Sequence, residues 1–114
     1  FAFMGNGSPK GFVDERTYSI TYAQVPNYVE VTKALASPII KDAGWQLLGY
    51  FSSVTGRISQ VVHLWYWDSH AQREELQAKA TADPRWPIYQ AGNGHRVIDQ
   101  HNRYLLPTSF SPIK

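Results

Sequence analysis

Gln60-Val61-Val62-His63-Leu64-Trp65-Tyr66-Trp67 is the stretch whose reading decides the fold. Side chains alternate across a strand, so Val61, His63, Trp65 and Trp67 project to one side and Val62, Leu64 and Tyr66 to the other. Both sets are large and mainly apolar, which is the pattern of a strand covered on both faces. Burying one large side chain is worth ~1.5–3 kcal/mol, against a total stability of ~5–15 kcal/mol for a small domain. Three such side chains left in water would cancel much of that stability.

Working outward, Thr55-Gly56-Arg57 supplies a short connection between a strand over Gln46 to Val54 and this one, read as Ile58 to Trp67. Ahead of that hairpin, Pro26 suits the first helical position, and Tyr28, Val31, Leu35 and Ile39 follow at helical spacing until Gly44. Pro38 should shorten or kink that helix. Earlier still, Phe12 to Thr21 (FVDERTYSIT) is rich in β-branched and aromatic residues and forms a first strand with Phe12, Asp14, Arg16, Tyr18 and Ile20 on one face. Residues 1–11 carry Gly5, Gly7 and Pro9 without a periodic pattern and read as a flexible N-terminal arm.

Downstream, Ser69 followed by Gln72 makes a capping box that opens a second helix, which runs to about Ala82 and is ended by Asp83-Pro84. An irregular stretch containing Gly92 and Gly94 leads to a last strand over Arg96 to Leu106, closed by Pro107. The fold class is therefore α+β. The order is βαββαβ, a ferredoxin-like four-stranded antiparallel sheet with two helices on one face and the first and third strands at its centre. Two helices cover one face, so the other predicts a homodimer, packed sheet to sheet as a dimeric α+β barrel.

Composition supports one domain over residues 12–114. The 114-residue chain is 43% hydrophobic and 14% aromatic, ample for a core. Its +2 charge is scattered without a basic run, so nucleic acid is not expected as a partner. With no Cys, disulfides, thiolate metal sites and a Cys nucleophile are excluded. The four His show no HxxxH or HExxH spacing, so no metal and no cofactor is expected. The longest apolar stretch is far short of the ~20 residues a transmembrane helix needs. Phe1 stands where an initiator Met would, which marks a processed product, an excised domain or an artificial remnant.

Candidate chemistry gathers on two strands. Asp14, Arg16 and Tyr18 share a face of a central strand, and a buried Arg needs a partner. They suit a polar floor for a barrel cavity, with Arg16 binding an anionic or carbonyl group and Tyr18 donating a proton. The bland alternative is an Arg–Asp pair at the dimer interface. His63 lies in an apolar setting, with Trp65 beside it, that favours the neutral imidazole, and it is the best general-base candidate. A hydrogen-bonded core histidine is the commoner occurrence, and one His in an apolar strand is a poor motif for haem. Arg73 shares a helix stripe with Leu76 and Ala80, so it either snorkels along the sheet layer or reaches a ligand. His70 and His101 read as exposed or ordinary positions.

Three segments resemble the NIPSNAP family. Asp14-Glu15-Arg16-Thr17-Tyr18-Ser19-Ile20 is similar to its opening strand, although Glu15 stands where the family more often has an apolar residue. Gly49-Tyr50-Phe51, Gln60 to Trp65 and Asp68 to Arg73 look like its central block, and Asp83-Pro84-Arg85-Trp86 like the end of its second helix. Leu105-Leu106-Pro107-Thr108-Ser109-Phe110-Ser111-Pro112 is similar to its C-terminal signature. The resemblance implies the dimeric α+β barrel. In animals it implies two such domains behind a mitochondrial targeting sequence, with roles proposed in vesicle traffic or mitochondrial quality control, and this chain resembles the second of the two. Two functions stay open. One is an interaction or accessory protein with protein partners, mitochondrial in a eukaryote and otherwise cytoplasmic. The other is a small cofactor-independent enzyme (isomerase, cyclase, lyase or monooxygenase) acting on a hydrophobic or aromatic carbonyl compound at His63, Arg16 and Tyr18.

Overall fold

The computed structural model describes residues 11–113, so the expected arm at residues 1–10 lies outside the described residues. Four strands, β1 (Phe12–Ile20), β2 (Gln46–Ser52), β3 (Gln60–Trp67) and β4 (Val97–Leu105), form one sheet in the order β2-β3-β1-β4. All three pairings are antiparallel, and β1 and β3 are central. The ferredoxin-like α+β architecture read from the sequence is the one found. Registers place Asp14 opposite Trp65, Arg16 opposite His63 and Tyr18 opposite Val61. The first residue described, Gly11, already belongs to the packed body: a Cβ there would stand 2.0 Å from the Trp67 carbonyl oxygen.

The helical layer contains more than two helices. Between β1 and β2, α1 (Val25–Val31) passes through a π-helical turn (Thr32–Ala36) into α2 (Ser37–Ala43). Pro38 in the first turn of α2 explains the turn. A proline ring collides with the carbonyl four residues back, and a widened turn moves that carbonyl aside. The Ser37 N–H accordingly reaches back to the Thr32 carbonyl. The extra residue shifts the helical phase, so Ala36 is buried where the spacing placed Leu35, which is left 37% exposed.

After β3 comes α3 (His70–Thr81), with Ser69 as N-cap accepting from the Gln72 N–H at 3.0 Å. Gln72 does not answer Ser69 but accepts from the Asp68 N–H at 2.7 Å, so the expected capping box is displaced by one residue. A further helix, α4 (Trp86–Asn93), occupies the stretch read as irregular and runs into a 3₁₀ turn (Gly94–Arg96). Pro87 and Gly92 look like breakers, yet Pro87 falls in the first turn, where no N–H is needed. Gly92 allows α4 to approach Val31 and Leu35, whose side-chain atoms lie 3.3 and 3.5 Å from where its Cβ would be. The hairpin connection is also longer than expected. Positive φ at Gly56 and Ser59 breaks the ladder between Ser52 and Gln60, leaving Val54 and Ile58 exposed.

The helix-facing side of β3 is completely covered. Trp65 and Trp67 pack with Phe12, Ile39, Ala43, Trp45 and Ala80, while Val61 joins Ile20 and Tyr28 in a second cluster. His63 sits between the two clusters on the same face. On the opposite side of the sheet Tyr66 and Val13 are buried, Val62 and Leu64 are half-buried and Phe51 is exposed, with a Glu15–Arg103 pair at 2.7 Å across the strands. The helices do not extend over β4, which is exposed along nearly its whole length.

Candidate functional site

Alternation on β1 and β3 brings Asp14, Arg16, Tyr18, His63 and Trp65 to the helix side, so the polar floor lies beneath the helices of its own chain. This corrects the expectation of a barrel-interior floor or an interface pair, since both would need the opposite sheet face. Asp14 is fully buried. Its Oδ2 accepts from Arg16 Nε at 3.1 Å, Arg73 Nε at 3.2 Å and Trp67 Nε1 at 3.3 Å, and its Oδ1 from Asn102 Nδ2 at 3.4 Å. Burial pushes the carboxyl up, but the Arg16 charge and the hydrogen bonds from Arg73, Arg16 and Asn102 outweigh it and hold it below the ordinary value of 3.8. Arg73, which the helix stripe left between snorkelling and ligand contact, thus reaches the buried carboxylate and also lies over the Tyr104 ring at 5.3 Å.

His63 is 4% exposed. Its Nδ1 accepts from Trp65 Nε1 at 2.6 Å, while its Nε2 is buried with no hydrogen-bond partner. An indole N–H can only donate, so Nδ1 carries no proton and the neutral ring must hold its proton on Nε2. Burial, reinforced by the Arg16 charge and opposed by Asp14, lowers the imidazole pKa from 6.5 to about 3. The general-base expectation is therefore corrected: at neutral pH the ring has its basic nitrogen occupied and offers a donor. Tyr50 stacks on it at 4.5 Å and Tyr18 meets it edge-on at 4.7 Å.

Arg16 Nη2 is the other unpartnered buried donor among the described residues. It lies 3.0 Å from Asp14 Oδ2 but out of line for a hydrogen bond to it. Arg16 and His63 both line a half-open cavity of about 60 Å³ between sheet and helices, walled also by Tyr18, Tyr28, Tyr50 and Trp65, with Trp45, Trp86 and Tyr89 among its other walls. That space exceeds the ~10–15 Å³ one water needs. Tyr28, Tyr50 and Tyr89 were missed in the sequence, although Tyr50 stands opposite His63 across the β2–β3 pairing. Burial raises the pKa of Tyr28 and Tyr50, whose hydroxyls interact with each other, so they stay protonated. His70 stacks on Phe12 at 4.4 Å and His101 pairs with Asp99 at 2.8 Å, so neither joins the cavity. Among the described residues no cluster of His, Cys, Asp and Glu could hold a metal ion.

Residues 13–112 match the NIPSNAP family model. The chain belongs to the NIPSNAP family. It is 33% identical to the human protein NipSnap homolog 3A over 69 residues, 60% of this chain and 28% of that protein. With the Drosophila melanogaster protein NipSnap it shares 36% identity over 64 residues, 56% of this chain and 23% of that one. The matched segments thus span less than a third of these curated relatives. A solved NIPSNAP family protein of unknown function from Agrobacterium tumefaciens superposes with a TM-score of 0.88 at 29% identity, covering 99% of this chain and 100% of that one. A NIPSNAP-like domain protein from Burkholderia xenovorans gives 0.86 at 29% identity over 92% and 91% of the two chains. A putative antibiotic biosynthesis monooxygenase from Nitrosomonas europaea shares the fold alone, with a TM-score of 0.62 at 9% identity over 94% and 97%.

Proposed function

We propose that this NIPSNAP domain binds the carbonyl oxygen of a small apolar or aromatic compound in the cavity beside His63, the compound's body lying in the apolar groove that shares Tyr50 and Trp65 with it, and stabilises negative charge on that oxygen. The observation behind this reading is the pair of buried, unpartnered donors, His63 Nε2–H and Arg16 Nη2, on two side chains that line one aromatic-walled space. An unsatisfied buried donor costs ~1–3 kcal/mol, and an incoming oxygen acceptor recovers that cost. Donors preorganised in a buried site stabilise negative charge on a carbonyl oxygen more strongly than water does. Tyr18 lines the same space and adds a phenolic hydroxyl to its polar wall.

Tryptophan fluorescence titration with aromatic ketones, Trp65 and Trp45 being the reporters, tests the reading. Saturable binding weakened at least tenfold in Arg16→Gln is expected. A folded wild-type protein that ignores every ketone at millimolar concentration would sink it.

A second reading concerns the opposite sheet face. Phe51 is exposed and Val62 and Leu64 are half-buried there, which supports a homodimer packed through that face and an accessory or interaction role, mitochondrial in a eukaryote. Gel filtration with light scattering tests the dimer, and a strictly monomeric mass at micromolar concentration would end it.

A further inference from the structure

The cavity beside His63 adjoins a second, polar basin of about 290 Å³ over the part of the sheet that the helices leave bare. Arg16 and Tyr18 line both spaces, so the two meet at these side chains. The basin's other walls are Arg73 and Gln77 of α3 and Gln100, His101 and Asn102 of β4. Its charge is cationic. Arg16 and Arg73 both donate through Nε to the single oxygen Asp14 Oδ2, so two guanidinium groups share one carboxylate. Glu74 stands 3.5 Å from Arg73 Nη1, but it is 78% exposed and screened by water. Asp99 pairs with His101, and their register with Ser19 and Thr17 turns both towards the opposite sheet face.

On the far side the cavity shares Thr32, Ile40, Tyr50 and Trp65 with an apolar groove of about 270 Å³ that also includes Val29 and Leu47. The chain therefore presents a cationic basin, a cavity with two N–H donors and an apolar groove as adjoining spaces. We infer that the ligand is an oxo acid with an apolar or aromatic body: its carboxylate sits in the basin against Arg73, its carbonyl oxygen between His63 and Arg16, and its body in the apolar groove beyond Tyr50 and Trp65. Guanidinium groups suit a carboxylate because their planar N–H forks match its two oxygens. The amide groups of Gln77, Gln100 and Asn102 add neutral donors at the same mouth. This assignment rests on the cavity reading above and adds the charged end.

Benzoylpropionate, an aromatic oxo acid, and its uncharged methyl ester separate the two ideas, with affinity measured by calorimetry on the intact chain. The acid is expected to bind roughly tenfold more tightly than the ester, one charge-assisted contact being about that large. In Arg73→Gln the ratio of acid to ester affinity should fall to near one. Gln77→Glu, which keeps every donor to Asp14 in the chain, should depress the acid by a similar factor, its carboxylate repelling the ligand's and competing for Arg73. Equal affinity of wild type for acid and ester overturns the carboxylate subsite while the cavity reading stands. Failure of both probes to bind a folded protein overturns both.

Discussion

Trp65 Nε1 donates to His63 Nδ1 at 2.6 Å, and this one bond between neighbours on the same face of β3 fixes which nitrogen of the imidazole carries its proton. Nitrogen NMR of labelled histidine should show a single neutral tautomer protonated at Nε2 from pH 5 to 8. Trp65→Phe frees Nδ1 and should give a mixture of tautomers. It also removes part of a buried ring, so a loss of roughly 2–3 kcal/mol in urea unfolding is expected.

Acid stability follows from the same ring. The folded His63 pKa is depressed to about 3 from 6.5, so protons favour the unfolded chain over that interval. Its contribution is complete above pH 6.5 and drains away as the pH falls towards about 3, by at most ~1.4 kcal/mol per pH unit. Asp14, also depressed, adds a loss in the same direction below its ordinary value of 3.8. Urea denaturation of His63→Gln, which keeps an acceptor for Trp65 but cannot titrate, should show a visibly flatter stability profile between pH 6.5 and 4.5 than wild type.

Two ion pairs on β1 should differ greatly in worth. Asp14→Asn removes the fully buried charge that two arginines share, and breaking such a pair costs about 3–5 kcal/mol. Arg103→Ala removes the partner of Glu15 on the open face, where Arg103 is 70% exposed, and should cost about 0–1 kcal/mol. Thermal unfolding of the two variants side by side checks the contrast.

Gly44 ends α2 with φ +92, a left-handed conformation in which its N–H reaches the Ile40 and Lys41 carbonyls at 3.1 Å. Open space surrounds the position, so the cost of Gly44→Ala is conformational alone, about 1 kcal/mol by chemical denaturation.

On the open face, Leu64→Lys places a charge at the centre of the surface proposed to meet a second copy. Light scattering should report the monomer mass with the circular dichroism spectrum unchanged.

Much of the fold was legible because periodicity is a local property of the chain. Alternation in Gln60 to Trp67 gave a central strand, and the helical spacing, caps and turns around it gave the βαββαβ order. Where that reading missed, a contact between distant segments had overridden a local signal: Gly92 looked like a break until α4 met Val31 and Leu35. Site membership was partly legible too, since Asp14, Arg16, Tyr18 and His63 share one face by alternation alone. Their roles were not. Asp14 is joined to Arg73 across 59 positions and to Asn102 across 88, contacts that no spacing encodes. By itself the sequence determined the family, the strand order and the residues that face inward. Only the tertiary structure decided that this face lies under the helices, and that His63 donates where its type and setting suggested a base. The physical reason is that the state of a titratable group is set by the partner that packs against it, and packing partners come from the whole chain.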